Sequence, residues 1–301
     1  MTLATRGSEL ALAQTQEVWD TLAARFPELE LRTAVVKTSG DVLADAALKD
    51  FGGKGAFVTE IDERVRVGEA DVAVHSLKDI PTTIDQGFVV AAILPRPAFE
   101  DVLVSNHALA ALPQGARIGT SSVRRRAMVL RARPDLRVAE IRGNVPTRVA
   151  KWRRGEYDGV VLSAAGLRRL GIDAPHQVLD PEVFVPEPGQ GAVACVCRAG
   201  APEEPYLRAI DDFATRVEVE AEREVLHALG GGCVAPVGVH ATLRGDAVTI
   251  RAIVLSLDGR TAVAVHRTVA AKDPKREANA VAEELRAMGA DALLEQARRG
   301  G

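Results

Sequence analysis

The sequence is poor in cysteine, lysine and aromatic residues, and these shortages exclude several classes of protein. Three cysteines in 301 residues give an odd count, which argues against a disulfide framework and favours a reducing compartment. No apolar run approaches the roughly 18 residues that a membrane-spanning helix requires. Residues 1–9 lack the basic stretch and apolar run of an export signal. We therefore expect a cytosolic protein without a membrane partner.

The rest of the composition is that of a globular protein. Apolar residues make up 47% of the chain and charged residues 26%, which excludes an intrinsically disordered chain. At roughly 150 residues per domain, this length predicts two domains, or three small ones.

Arginine is abundant and unevenly distributed. The 38 basic residues comprise 31 Arg and 7 Lys, although the formal net charge is −3. Residues 117–154 contain eleven Arg and one Lys against Asp135 and Glu140, which gives this segment a net charge of +10. A GC-rich genome explains a high overall share of Arg, but it does not explain the clustering.

Two patterns of secondary structure follow each other along the chain. Up to about residue 214, short apolar runs alternate with helical patterns, which predicts parallel sheets with helices on both faces. The predicted strands are 31–38, 71–75, 89–94, 116–119 and 159–162. The predicted helices are 9–25, 59–67, 123–133, 147–154 and 165–170.

From Thr215 onward the pattern is that of a separate α+β domain. A helix is predicted at 217–229, and a last helical stretch from about 274 to 299 is expected to break near Gly289. Alternating apolar residues between them predict antiparallel strands, with a hairpin turn at Asp258-Gly259. These strands are 237–243, 247–257 and 261–269.

Three predicted junctions between a strand and a helix, at 5–8, 119–126 and 142–148, combine a capping residue with arginine. A helix start carries a partial positive charge, so arginine there is unfavourable by roughly 0.3 to 1 kcal/mol unless an anion neutralises it. Backbone N–H groups and guanidinium groups bind carboxylate and phosphate equally well. The pattern therefore predicts an anion site at Arg124 and Arg125, and the alternative is a solvated helix face.

Nucleic acid is the main alternative ligand for so basic a segment. Trp152 is its one aromatic residue, so we expect no platform for base stacking, and the spacings of recognition helices and zinc fingers are absent. The acidic chain as a whole also weakens attraction to a polyanion. Small carboxylated ligands are the better expectation.

Two further segments carry polar residues that could bind a ligand. Gly52-Gly53-Lys54-Gly55 lacks the spacing of a phosphate-binding loop, and it is either a glycine-rich flap with one cation or an ordinary turn. Lys78 and Asp79 follow a predicted strand, and ligands often bind at the carboxyl ends of parallel strands. Lys78 could keep Asp79 ionised to stabilise a cation or move a proton, whereas His75 alone is more typical of a structural histidine.

The three cysteines fall into two kinds. Cys195 and Cys197 lie two apart on a predicted strand without further ligands at metal-binding spacing, so we interpret them as buried apolar residues and expect no metal site. Cys233 follows Gly230, Gly231 and Gly232 on a loop beyond a helix. An exposed thiol there is accessible for covalent chemistry, although an inert cysteine is the commoner case.

Seven motifs, in this order over nearly the whole chain, resemble those of the porphobilinogen deaminase family, also called hydroxymethylbilane synthases. The motifs are Arg6-Gly7-Ser8, Gly52-Gly53-Lys54-Gly55, His75-Ser76-Leu77-Lys78-Asp79-Ile80-Pro81, Gly119-Thr120-Ser121-Ser122-Val123-Arg124-Arg125, Arg142-Gly143-Asn144-Val145, Pro188-Gly189-Gln190-Gly191-Ala192 and Gly231-Gly232-Cys233. Each motif is weak alone, but the ordered set is specific.

The resemblance implies a transferase of tetrapyrrole biosynthesis that joins four porphobilinogen molecules head to tail and releases ammonia. It implies a dipyrromethane cofactor attached to Cys233 by a thioether, a monomeric state, and Asp79 as the catalytic carboxylate. Each pyrrole ring carries an acetate and a propionate, which the arginine cluster could neutralise. By residue matching, the cofactor binders are Lys54, Lys78, Ser122, Arg124 and Arg125. The substrate binders are Arg6, Ser8, Arg142 and Arg148.

The resemblance also implies the fold: α/β, with two lobes like those of periplasmic binding proteins, parallel-dominated mixed sheets and a smaller C-terminal α+β domain. Substrate would lie between the first two domains. The expected domains are 1–96 with 193–214, then 97–192, then 215–301. Three positions depart from the family pattern, namely Asp50, Glu100 and Val196.

Two other functions stay open on the sequence alone. A non-enzymatic anion-binding protein of the same fold would carry no covalent adduct. A nucleic-acid binder that uses residues 117–154 would show binding that weakens steeply with salt.

Overall fold

A computed structural model describes residues 1–37, 55–230, 235–271 and 273–300, with the backbone alone at 55–57 and 300. The chain divides into two compact units, each formed from two segments. The first unit comprises Met1–Pro97 and Gly191–Arg216, and the second comprises Ala98–Gln190 and Val217–Gly301.

The first unit contains a five-stranded sheet with helices between its strands. Its strands are β1 (Thr2–Arg6), β2 (Arg32–Val36), β3 (Val72–Ser76), β4 (Phe88–Ile93) and β10 (Val193–Arg198). Its helices are α1 (Glu9–Arg25), α2 (Gly55–Arg66) and α6 (Glu204–Arg208). The strand order is β2-β1-β3-β10-β4, and β10 pairs antiparallel with both neighbours. Four of the five strands therefore run in one direction.

A second five-stranded sheet lies in the second unit and repeats this arrangement. Its strands are β5 (Asp101–Val104), β6 (Arg117–Gly119), β7 (Arg137–Ala139), β8 (Gly159–Ser163) and β9 (His176–Val178). Its helices are α3 (Val123–Ala132), α4 (Val145–Arg153) and α5 (Ala164–Arg169). The order is β7-β6-β8-β5-β9, with β5 antiparallel to its neighbours.

The C-terminal part of the second unit is an antiparallel sheet with helices. The strands β11 (Val237–Arg244), β12 (Ala247–Leu255) and β13 (Ala262–Ala270) pair in chain order. The helices are α7 (Phe213–Ala228), α8 (Pro274–Ala287) and α9 (Ala290–Gly300). Gly289 has a φ of +100°, which separates α8 from α9.

Apolar contacts join the two sheets of the second unit. Ile253 and Leu255 of β12 share a buried cluster with Ala127 and Met128 of α3. The helix that bears Arg124 and Arg125 therefore packs against the C-terminal sheet as well as its own.

The predicted fold class is confirmed as α/β, with two mixed sheets dominated by parallel strands and a smaller C-terminal α+β part. The predicted helix 9–25 has the observed bounds, and the predicted break near Gly289 is present. The division into three domains at residues 96/97, 192/193 and 214/215 stays a prediction. None of the described helices is long and apolar enough to cross a membrane.

Candidate functional site

Four of the predicted site residues lie at one edge of the first sheet. Arg6 ends β1, and Ser8 begins α1, where its Oγ accepts a hydrogen bond from the N–H of Ala11 at 3.3 Å. Lys78 and Asp79 lie in a short 3-10 helix directly after β3. Because β1 and β3 are parallel neighbours, their carboxyl ends meet at this edge, where α/β sheets bind ligands.

Buried polar contacts hold this edge in place. Nε2 of Gln14, a buried residue of α1, lies 2.8 Å from Oγ of Ser76, which directly precedes the 3-10 helix. The N–H of Leu77 donates to the carbonyl of Ala192 at 3.0 Å. His75 is buried with Nε2 2.8 Å from Oδ1 of Asp62, as expected of a structural histidine. These bonds connect α1, α2 and Ala192, which directly precedes β10, to the segment that carries Asp79.

The Asp79 carboxylate is half-buried. Within the described ranges of the chain, no hydrogen bond or ion pair engages this side chain. Its oxygen atoms are therefore available to a ligand.

The other predicted junctions form the corresponding edge of the second sheet. Ser122 caps the start of α3, and its Oγ accepts a hydrogen bond from the N–H of Arg125 at 3.4 Å. Asn144 caps the start of α4, and its Oδ1 accepts a hydrogen bond from the N–H of Thr147 at 2.9 Å. Each of the three predicted junctions thus has a capping side chain, and the caps are Ser8, Ser122 and Asn144.

Arg124 and Arg125 are buried, being 3% and 7% exposed, which excludes the alternative of a solvated helix face. Both donate to one fully buried carboxylate, that of Asp101. Burial opposes the ionisation of Asp101, but the charges of Arg124 and Arg125, with hydrogen bonds from Arg124 and Gln190, lower its pKa to about 2. The anion that faces this helix start is therefore a carboxylate of the chain itself. Two guanidinium groups against one carboxylate leave a net positive charge.

Gln190 completes this buried cluster. Its Nε2 donates to Oδ1 of Asp101 at 2.9 Å and to the carbonyl of Phe99 at 2.7 Å, and its Oε1 accepts from Nη2 of Arg125 at 3.0 Å. Val185 contributes its carbonyl, which accepts from Nη1 of Arg124 at 2.9 Å. Nε of Arg124 is buried and has no hydrogen-bond partner in the described part of the chain.

Arg125, Arg142 and Arg148 form an electrostatically crowded group. Burial, followed by the positive charges of Arg125 and Arg142, lowers the pKa of Arg148 to about 10. Nε of Arg148 donates to the carbonyl of Gly143 at 2.7 Å, and Nη2 of Arg142 lies 2.5 Å from Oε1 of Glu140. A bound anion would offset the repulsion among these like charges. This donor set fits a cofactor or substrate that carries several carboxylates.

Other arginines of the basic segment have structural roles. Arg133 donates to Asp135 and to the carbonyls of Leu109, Ala110 and Leu112. The guanidinium carbon of Arg117 lies 4.7 Å from the centre of the Tyr157 ring. Part of the positive charge of residues 117–154 thus serves the fold.

Two of the three cysteines are described, and both are buried in β10. Burial raises the pKa of the Cys195 thiol far above its usual range and that of Cys197 to about 12. Because the thiolate is the nucleophile, neither is suited to covalent attachment. Among the described residues, no cluster of side chains has the composition of a metal site. Lys54 and Cys233, with Asp50 and most of the Gly52–Gly55 motif, lie outside the described residues.

Sequence reasoning missed the structural partners of the site. Gln190 appears in the sequence pattern only within a glycine motif, and no motif singles out Asp101. An acidic residue at the start of an apolar run and a glutamine between glycines were the available signals. Their partners lie far away in sequence, so the pattern could not identify them.

The fold and this site define an α/β protein with arginine-bearing helix starts, two of whose arginines are buried against a single carboxylate. Sequence models agree: "Porphobilinogen deaminase, dipyromethane cofactor binding domain" matches residues 1–204, and "Porphobilinogen deaminase, C-terminal domain" matches residues 216–287. A probable porphobilinogen deaminase of Methanocella arvoryzae is 46% identical over 99% of both chains. Porphobilinogen deaminase of Roseiflexus castenholzii is 44% identical over 98% of both chains. The chain belongs to the porphobilinogen deaminase family.

Among solved structures, distant similarity is found to a bacterial domain. The VFT2 domain of Bordetella pertussis BvgS has a TM-score of 0.41 and 15% identity, covering 70% of this chain and 85% of that one. The family recognised from the sequence, its enzymatic function in tetrapyrrole biosynthesis and its dipyrromethane cofactor are confirmed by the sequence comparisons.

Proposed function

We propose that the chain is a hydroxymethylbilane synthase, which joins four porphobilinogen molecules head to tail on a covalent dipyrromethane primer and releases ammonia at each step. The observation that carries the proposal is the match of residues 1–204 and 216–287 to the two porphobilinogen deaminase domains. The arginines support it: Arg124 and Arg125 share the single carboxylate of Asp101, and the positive charges of Arg125 and Arg142 oppose that of Arg148. A growing chain of pyrroles accumulates acetate and propionate groups, and it would relieve this repulsion by pairing with the guanidinium groups.

The resemblance to the family divides the site residues into two groups. Lys54, Lys78, Ser122, Arg124 and Arg125 would hold the cofactor. Arg6, Ser8, Arg142 and Arg148 would hold the incoming substrate. When bound, the cofactor supplies the terminal pyrrole carbon on which the chain is extended. Ser122 supports its binding indirectly, because its cap fixes the start of α3 and the backbone of Arg125.

Asp79 would act on the substrate. A carboxylate beside the reacting carbon stabilises the positive charge that develops as ammonia leaves, and its oxygen atoms can accept a pyrrole proton. The absence of a partner for Asp79 in the described ranges supports this role, because an oxygen already bound to Arg or Lys would be a weaker base.

Cys233 would anchor the cofactor. The pKa values of Cys195 and Cys197 are raised by burial, which leaves Cys233 as the thiol suited to form a thioether. Mass spectrometry of the intact protein should show an added mass of two linked pyrroles. Cys233→Ser should abolish the adduct and Cys195→Ser should retain it. An unmodified, active wild-type protein would refute the proposal.

Asp79→Ala tests the catalytic carboxylate separately. The variant should keep its melting temperature within a few degrees and lose at least a hundredfold in kcat, because the chemistry depends on the carboxylate and the fold does not. Retention of most of the turnover would refute the role.

We further propose that the enzyme is a cytosolic monomer that does not bind nucleic acid. Light scattering after gel filtration tests the oligomeric state. A salt titration of polynucleotide binding tests the last point, because binding through residues 117–154 would weaken steeply with salt.

A further inference from the structure

Glu222 is a buried carboxylate that the proposed reaction does not use. It lies on α7 with no exposed surface. Its Oε2 accepts from the N–H of Gly189 at 2.7 Å, and its Oε1 accepts from the N–H of Ala241 at 2.9 Å. Nδ1 of His240 lies 3.2 Å from the same Oε1. A buried carboxylate destabilises a fold unless its oxygen atoms accept hydrogen bonds, and these contacts provide such bonds.

The contacts of Glu222 with Gly189, His240 and Ala241 connect separate segments. Ala241 and His240 belong to β11, Glu222 belongs to α7, and these two elements flank residues 229–236, which include Cys233, along the chain. Gly189 precedes Gln190, which binds Asp101 and Arg125. Glu222 therefore links the elements on both sides of the attachment cysteine to the segment that holds the buried arginines.

A ring contact closes the same network. The His240 ring stacks on Phe99 with 3.9 Å between ring centres and 24° between planes. The carbonyl of Phe99 accepts from Nε2 of Gln190 at 2.7 Å. Gln190 is thus held from two sides, through Gly189 by Glu222 and through Phe99 by His240.

We propose that Glu222 is a positioning residue, which acts through Gly189 and Gln190 to set the guanidinium group of Arg125 for the cofactor carboxylates. The inference rests on the proposed function. Only a carboxylate presents two acceptor atoms to two different backbone N–H groups, whereas glutamine would direct an NH2 group at one of them. Glu222→Gln therefore breaks one link at nearly unchanged side-chain size.

Glu218 supplies a matched control. It lies one turn earlier on α7, and its Oε1 accepts from the N–H of Leu243, also on β11, at 3.0 Å. This bond joins the same helix and strand as that of Glu222 with Ala241. Glu218→Gln therefore weakens the C-terminal sheet without affecting the link to Gly189.

The test measures cofactor occupancy by intact-protein mass, KM and kcat of the loaded fraction, and melting temperature. Glu222→Gln should lower occupancy at least threefold and raise KM three- to tenfold, with a smaller change in kcat. Glu218→Gln should match the wild type in occupancy and KM. A lower melting temperature in Glu222→Gln with wild-type occupancy and KM would overturn the inference and leave a purely structural role.

Gln190→Met keeps the test valid if Glu222→Gln does not fold. It removes the hydrogen bonds to Asp101 and Arg125 and leaves Glu222 with Ala241 intact, so it should reproduce the loss of occupancy. Where both single variants fold, the double variant should have the same cofactor occupancy as the single variant with the lower occupancy. The reason is that both substitutions interrupt the same path from Glu222 through Gln190 to Arg125. Fully additive losses would contradict the linkage. A wild-type protein without any adduct would instead refute the proposed function.

Discussion

Asp101 and Arg124 form a buried bidentate ion pair, with 2.7 Å between Oδ2 and Nη1 and 3.3 Å between Oδ1 and Nη2. Arg125 shares the same carboxylate through its Nε at 2.9 Å. Asp101→Asn should lower the free energy of unfolding by about 3 to 5 kcal/mol, because it leaves two buried guanidinium groups without their counter-charge. Denaturant unfolding at neutral pH measures the loss.

The effect of Asp101 should depend on pH. Its folded-state pKa of about 2 lies below the ordinary value of 3.8, so ionised Asp101 stabilises the fold fully above about pH 4, and this contribution is lost as the pH falls toward 2. The stability difference between wild type and Asp101→Asn should therefore narrow over that range. Asp135→Asn, which alters a partly exposed pair with Arg133, is the control and should change stability much less. A stability difference between wild type and Asp101→Asn that did not change with pH would contradict the low pKa of Asp101.

Arg148→Gln should reduce substrate binding without reducing stability. The lowered pKa of Arg148 means that its charged form is disfavoured in the fold, a cost present at neutral pH and relieved only as the pH rises through about 10. Arg148→Gln removes this cost, which stabilises the fold. It also removes the hydrogen bond to Gly143, which is worth about 1 kcal/mol and offsets part of the stabilisation. The melting temperature of the double variant Arg148→Gln, Cys233→Ser should equal or exceed that of Cys233→Ser alone.

In the enzyme with an intact Cys233, the same Arg148→Gln change should raise KM about tenfold, the effect of losing about 1.4 kcal/mol of binding. Arg133→Gln provides the contrast, because Arg133 binds Asp135 and three carbonyl groups. It should lower the melting temperature and leave KM unchanged. A marked loss of stability in Arg148→Gln would show that this arginine has a structural role.

Glu140→Gln should lower KM for porphobilinogen. Nη2 of Arg142 lies 2.5 Å from Oε1 of Glu140, so a substrate carboxylate that binds Arg142 must compete with this side chain. An exposed pair is worth about 0.2 to 1 kcal/mol, which sets the expected decrease at up to about fivefold.

The pair of Arg154 with Glu156, 2.7 Å apart, has the same spacing along the chain and matches it as a control. Glu156→Gln should leave KM unchanged. The difference between the two variants should shrink at high salt, which screens exposed charges. Equal KM values for Glu140→Gln and wild type at low salt would exclude the competition.

Gly259→Ala should destabilise the second unit more than Gly245→Ala does. Both glycines form hairpin turns of the C-terminal sheet, with φ of +71° and +56°. A Cβ at Gly259 would lie 2.1 Å from the carbonyl oxygen of Ala127 on α3, whereas no atom lies within 4 Å of a Cβ at Gly245.

Backbone strain alone should cost Gly245→Ala about 1 kcal/mol, and the clash should bring the loss in Gly259→Ala to roughly 3 kcal/mol or more. Because α3 carries Arg124 and Arg125, Gly259→Ala should also raise KM, and Gly245→Ala should not. Denaturant unfolding and steady-state kinetics check both points. Similar losses in the two variants would show that the contact with Ala127 is relieved easily.

Features that depend on neighbours within a few residues were accessible to sequence reasoning. The caps at Ser8, Ser122 and Asn144 each bond to a backbone N–H three residues further on. The turn at Gly259 and the break at Gly289 depend on the conformational freedom of one glycine. Local chemistry determines such features, so they follow from the residue order.

Strand direction did not follow from the pattern. A fully buried strand is apolar in either direction, so β10 and β5 could not be recognised as the antiparallel members of their sheets. The short strands β7 and β9 have three residues each, too few to show a periodicity.

The sequence by itself determined the family, the arginine-bearing helix starts and the residues proposed for catalysis and binding. Only the tertiary structure decided that Asp101 neutralises part of the arginine charge and that Glu222 holds the Gly189 backbone. The reason is distance along the chain: Arg124 lies 23 residues from Asp101, Gly189 lies 33 from Glu222, and Gln190 lies 89 from Asp101. Folding brings these groups together, and burial then gives their charges and hydrogen bonds the strength to fix the site.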